Sequence, residues 1–117
     1  MNLLSSLFGS PLPSVNATDL NEKLKNSKRS LVVDVRQPEE YTAGHIAGSK
    51  LIPLGELNKR VNELPKDKEI ICVCASGSRS QSATKFLVDA GYNAFNMQGG
   101  MFMWQRAKLP IKKGNAS

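Results

Sequence analysis

The sequence predicts an α/β fold: a parallel sheet of about five strands with helices on both faces. Three observations carry that expectation. Two short, β-branched apolar runs, 31–35 (Leu-Val-Val-Asp-Val) and 69–74 (Glu-Ile-Ile-Cys-Val-Cys), have the near-continuous hydrophobicity of strands buried on both sides. Helical patterns alternate with them. Leu54, Leu57, Val61 and Leu64 recur at helical spacing, and Ala83, Phe86, Leu87 and Ala90 share one helical face. The links between these segments are short, so consecutive strands have to be parallel and joined by right-handed crossovers.

Taken in order, residues 1–13, with Pro11 and Pro13, read as a loose lead-in; the domain spans 14–110, and 111–117 form a flexible tail. Asn16-Ala17-Thr18 fits a glycosylation acceptor, but reads more simply as a strand end meeting a helix cap. Thr18 is expected to cap a helix running to about residue 26, with Leu20 and Leu24 as its i, i+4 apolar pair. After the strand at 31–35, Pro38 suits the first position of a short helix through Tyr41. Gly44 and Gly48 then punctuate a turn before a strand over 49–53. A helix over 54–64 ends at Pro65, and the second buried strand comes after it. Beyond a small polar loop lies a helix over about 80–90, ended by Gly91 at the position glycine favours. A short strand near 94–96 and a last helix over 100–106 complete the alternation.

A chain of 117 residues can bury one good core and is too short for two domains with a linker. Its net charge of +6 raises the local concentration of anions. The basic residues are scattered and not interleaved with aromatics, which argues against nucleic-acid binding and for a solvated basic surface. The opening residues lack a basic n-region and a continuous apolar stretch, so a cytoplasmic protein without membrane association is expected. Cys72 and Cys74, two apart in a strand, would hold their Cα atoms roughly 6.6 Å apart with Cβ atoms similarly distant, too far for easy bridging. Two cysteines and a single histidine also fall short of a structural zinc site. Two free thiols in a reducing compartment remain, and neither a cofactor nor a metal is expected.

In an open parallel sheet, ligands gather beyond the carboxyl ends of the strands. The most informative such segment is Cys74-Ala75-Ser76-Gly77-Ser78-Arg79-Ser80: a thiol at a strand end, small residues, then a helix N-terminus. Small residues let backbone N–H groups curl onto one point, where they and the helix dipole stabilise negative charge. That charge belongs first to Cys74, as the nucleophilic thiolate, and then to a bound persulfide or oxyanion. Arg79 adds a forked cation suited to thiosulfate or a similar anion. Ser80 can cap the helix, donate to sulfur, or do both. The reading requires the amides to face the sulfur and the thiol to be reachable from solvent. Against it stands the ordinary alternative that a cysteine at a core strand end is a small buried hydrophobe, which suits Cys72 better. Asp34 and Arg36, at a neighbouring strand end, either orient the loop or substrate or form a structural ion pair. His45 reads as a structural hydrogen-bonding residue rather than a base. Gly99-Gly100 reads as a tight turn and Trp104 as core.

The ordered set Asp34-Val35-Arg36, Pro38-Glu39-Glu40-Tyr41, Gly44-His45-Ile46-Ala47-Gly48-Ser49, Ile52-Pro53-Leu54, Cys74-x-x-Gly77-x-Arg79-Ser80, Ala90-Gly91-Tyr92 and Gly99-Gly100-x-x-x-Trp104 resembles the rhodanese domain over roughly residues 15–110. The resemblance implies a rhodanese-like fold, Cys74 as a persulfide-forming nucleophile, and a substrate-binding loop from Cys74 to Arg79. Six-residue loops typify the sulfurtransferases of this superfamily, whereas its phosphatases and arsenate reductases use one residue more, since a tetrahedral phosphate needs a wider ring of donors. Ala75 departs from the pattern, because relatives often carry a basic residue there. The resemblance thus implies a thiosulfate-type sulfurtransferase with a small anionic sulfur donor and a protein thiol or persulfide among its partners; a monomer or weak dimer is expected. The alternative is a non-catalytic binding or sulfur-delivery module.

Overall fold

A computed structural model describes residues 12–26 and 29–115. The two apolar runs lie side by side at the middle of one five-stranded, all-parallel sheet. Its strands are β1 (Ser14–Val15), β2 (Ser30–Asp34), β3 (Lys50–Leu51), β4 (Glu69–Val73) and β5 (Asn93–Met97), in the order β1-β5-β4-β2-β3. Ser30 pairs with Glu69 and Asp34 with Val73, so β2 and β4 end level with each other. Successive residues of β4 face opposite sides, as the period of a strand demands. Ile70 and Cys72 join a core with Leu57, Ala83 and Leu87, while Ile71 and Val73 join a second core with Leu20, Met101 and Trp104.

The helices are α1 (Ala17–Asn26), α2 (Pro38–Ala43), α3 (Leu57–Arg60), α4 (Ser78–Asp89) and α5 (Gly100–Arg106). α3 and α4 cover the first core, and α1 and α5 the second. From β2 the chain moves outward to β3, and from β4 it moves the other way to β5. The carboxyl ends of β2 and β4 therefore flank a topological switch point, where α/β sheets hold their ligands.

Three local expectations are corrected. Asn16, not Thr18, caps α1: its Oδ1 accepts the Asp19 N–H at 2.8 Å, and Thr18 Oγ1 donates to the same oxygen. The segment expected as one helix over 54–64 is a 3₁₀ turn (Leu54–Glu56), the short α3 and a second 3₁₀ turn (Val61–Glu63). Gly55 weakens its first turn and Pro65 blocks continuation, so neither end sustains α geometry. Finally, α4 begins at Ser78 because Gly77, at φ +107°, makes the turn itself in the left-handed region.

Residues 1–11 of the lead-in, residues 27–28 and the last two residues lie outside the described part. Past Pro110, Lys112 pairs antiparallel with His45 through backbone bonds of 2.8 and 2.9 Å. Trp104, only 1 % exposed, donates its indole N–H to the Pro110 carbonyl at 2.8 Å and so ties α5 to this segment. Among the described residues no helix is long and apolar enough to cross a membrane.

Truncating Trp104 empties the largest fully buried side-chain volume and leaves the Pro110 carbonyl without its donor. Trp104→Ala should lower stability by about 3–5 kcal/mol in urea unfolding; a loss below about 1 kcal/mol would mean that the second core does not depend on it.

Candidate active site

β4 ends at Val73, so Cys74 is the first residue beyond the central strand, on the same side of the sheet as Cys72. The chain then turns back on itself through Ala75, Ser76 and Gly77 into α4. The Gly77 N–H points at Cys74 Sγ at 3.0 Å and the Ser80 N–H at 3.3 Å. Ser80 Oγ lies 3.3 Å from the same sulfur.

The loop holds this shape because α5 starts against it. Met101 N–H donates to the Cys74 carbonyl at 2.8 Å and Phe102 N–H to the Ala75 carbonyl at 3.0 Å. Such closeness needs Gly100: a Cβ there would meet the Cys74 oxygen at 2.4 Å and the Ala75 carbonyl atoms at 2.6 Å. Gly100 is also at φ +58°, and Gly77 packs on Gly99 with 3.3 Å between its would-be Cβ and the Gly99 nitrogen. The glycine pair thus makes a turn and, beyond that, permits a close approach to the loop.

These bonds act on the thiol. Burial is the largest influence on Cys74 and pushes its pKa up, but bonds from the Ser80 hydroxyl and from the N–H groups of Ser80, Gly77 and Ser76 together outweigh it. The net result is a pKa below the ordinary cysteine value. Cys72 behaves oppositely. Burial pushes its thiol up to about 12, a bond with Thr84 opposes this only partly, and the nearby Cys74 charge adds to it.

A thiol open to solvent does not accompany the cradle. Cys74 is 1 % exposed, because the same amides and hydroxyl that hold its sulfur also cover it, while Ser76 and Ser78 form an exposed outer rim.

Arg79 is not an open anion clamp. Its Nη1 and Nη2 lie 2.8 and 2.9 Å from the two carboxylate oxygens of Glu40. Glu40 Oε1 also accepts the Gln37 N–H at 3.0 Å, closing the first turn of α2. With the Arg79 bond as the main cause, the Glu40 carboxyl is lowered to about 2. Asp34 and Arg36 form a buried structural pair. Arg36 Nε is 2.9 Å from Asp34 Oδ1, and Nη2 is 2.8 Å both from Asp34 Oδ2 and from the Gly44 carbonyl. These bonds tie the end of β2 to the turn after α2, and the pair lies close enough to the Arg79–Glu40 pair to act on it electrostatically.

His45 also has a structural place. It is fully buried, stacks on Tyr41 with ring centroids 3.7 Å apart, and holds Nδ1 2.8 Å from the Tyr41 carbonyl. Among the described residues no group of three or more His, Cys, Asp or Glu side chains is arranged to hold a metal ion.

Two contributors to the site are given no part in it by the sequence. Glu40 stands three residues after Gln37, the spacing of a capping box, and that pattern is the available signal. Asn96 is buried on β5, and its Oδ1 takes a bond from Ser80 Oγ at 2.5 Å. Ser80 Oγ also lies 3.1 Å from the Gly77 carbonyl, so one hydroxyl proton is shared among three acceptors including the sulfur. A polar side chain set between Phe95 and Met97 in a short strand is the only hint of this role.

The fold and site define an α/β domain built around a cysteine whose sulfur is held by the amides of a tight strand-to-helix loop. The chain belongs to the rhodanese-like domain family, whose model matches residues 16–107. It is 34 % identical over 98 residues to a sulfurtransferase of Allochromatium vinosum, covering 83 % of this chain and 92 % of that one. It is likewise 34 % identical over 86 residues to the thiosulfate sulfurtransferase GlpE of Pseudoalteromonas translucida, covering 73 % and 82 %. The crystal structure of a rhodanese-related protein from Thermoplasma volcanium superposes with a TM-score of 0.81 at 38 % identity, covering 86 % of this chain and 97 % of that one. These relatives support sulfur transfer as the general chemistry.

Alkylation of Cys74 should rise with pH through a midpoint below that of an ordinary cysteine and then level off, because a lowered pKa supplies thiolate at lower pH; Cys72 should stay unlabelled up to about pH 12. Equal labelling of both by peptide mass mapping would contradict the cradle. Gly100→Ala should cost at least about 2 kcal/mol in denaturant unfolding, through overlap with the loop and left-handed strain; a neutral effect would remove Gly100 as the loop's constraint.

Proposed function

We propose that this chain is a rhodanese-type sulfurtransferase that moves a sulfane sulfur from thiosulfate or a persulfide donor, through a persulfide on Cys74, to a thiophilic acceptor such as cyanide, a thiol or a protein. The observation that carries the reading is the convergence of the Gly77 N–H, the Ser80 N–H and the Ser80 hydroxyl on one sulfur.

The Cys74 thiolate attacks the outer sulfur of the donor; a new S–S bond forms as the donor's own bond to that sulfur breaks, and the leaving group departs with the electron pair. With thiosulfate, thiolate plus dianion become an enzyme persulfide anion plus sulfite dianion. The acceptor then attacks the outer sulfur, and Cys74 returns as the thiolate. The loop amides stabilise the sulfur's charge in both resting states. The persulfide places its outer sulfur about 2.05 Å beyond Sγ. The first turn of α4, where the N–H groups of Ser78 and Arg79 have no intrahelical acceptor, supplies further donors for a negative charge beyond Sγ. Since Cys74 is buried, the donor enters only when the rim at Ser76 and Ser78 moves aside.

That burial also favours a second reading, a binding or delivery module in which the thiol does not turn over. The readings separate by intact mass. Incubation with thiosulfate or a persulfide should add one sulfur atom's mass, reversed by reductant and absent in Cys74→Ser. No adduct with either donor, together with normal cellular function of Cys74→Ala, would leave the delivery module. Cys74-dependent hydrolysis of an aryl phosphate is not expected from a six-residue loop.

A further inference from the structure

We infer that Glu40 determines donor specificity: by occupying the fork of Arg79 it disfavours thiosulfate, so that the preferred donor is an organic persulfide whose reacting end carries at most one negative charge. The inference rests on the sulfur-transfer reading above.

Charge accounting around the sulfur carries it. Arg79 is the only basic residue from Cys74 to Ser80, and both its terminal nitrogens bond the Glu40 carboxylate. Glu40 is fixed at its other side by the Gln37 N–H, at the start of α2, and is not free to swing away without opening that turn. The next cation, Arg36, is buried and bonded to Asp34 and the Gly44 carbonyl. Position 75, at the loop's first step, is a methyl group. Arg79 and Arg36 are thus each paired with a carboxylate, so the attraction of Arg79 for the Cys74 thiolate is offset by Glu40, and backbone dipoles and the Ser80 hydroxyl carry most of its stabilisation.

Attack on thiosulfate brings a thiolate and a dianion together, three negative charges in a buried site. Attack on a persulfide anion, E–S⁻ + R–S–S⁻ → E–S–S⁻ + R–S⁻, brings two, and attack on its protonated form one. With Arg79 and Arg36 both committed to carboxylates, each further charge meets both repulsion and loss of hydration. The protein's overall charge of +6 attracts anions at long range but is screened within about 8 Å at physiological salt, so the local pairing decides.

The test compares kcat/KM for thiosulfate and for the persulfide of 2-mercaptoethanol, which carries no other charge, with cyanide as acceptor. The wild-type chain should favour the persulfide by at least about tenfold. Glu40→Gln, which releases Arg79, and Ala75→Lys, which adds a cation without touching the pair, should each shift the ratio about tenfold toward thiosulfate. Equal use of both donors by the wild type, or a ratio unmoved by the folded variants, would overturn the inference while leaving sulfur transfer intact. Failure of both donors to load Cys74 in the wild type would overturn the inference and the sulfur-transfer reading together.

Discussion

The site depends on how closely two backbones meet. α5 begins hard against the loop after β4, and hydrogen bonds from Met101 and Phe102 fix the carbonyls of Cys74 and Ala75. With those carbonyls held on one side, the N–H groups of Gly77 and Ser80 are left facing the sulfur on the other. A loop of small residues has many other conformations available. Contact with Gly100, where no side chain intervenes, selects one of them. The thiolate's environment is therefore set by tertiary packing of the last helix, distant along the chain, as much as by the loop's own composition.

The same loop has to reconcile opposing demands. Exclusion of water strengthens each N–H bond to sulfur but penalises the charge those bonds support. At Cys74 the donors outweigh burial; at Cys72, two residues back on the same strand face, burial prevails. The difference comes from position. Cys72 lies within β4, where backbone N–H groups serve the ladder, while Cys74 lies just past its end, where α4 supplies donors.

Much of this architecture is legible in the residues. The apolar runs of β2 and β4 and the placement of Cys74 before a helix emerge from periodicity and turn chemistry. The start of α4 does not, because Gly77 at positive φ makes the turn and lets the helix begin at Ser78 and not near Ser80. Side-chain partners are harder still. Nothing local to Arg79 says that its fork meets a carboxylate from α2, thirty-nine residues earlier, since such a pair exists only once β2 and β4 lie together. The sharing of Ser80 with Asn96 is hidden for the same reason: β5 has to dock beside β4 first. Burial of Cys74 is invisible too, being a property of how tightly the loop closes.

The contrast between the two cysteines also governs how the domain can be relieved of an oxidised or sulfur-laden Cys74. A partner thiol within the chain would have to ionise and to swing its Cβ to within disulfide reach. Cys72 does neither, being locked in the sheet and held as the neutral thiol. Under the sulfur-transfer reading, whatever Cys74 acquires stays with it until a molecule from outside takes it off, so the lifetime of the cargo would be set by encounters and not by the domain itself.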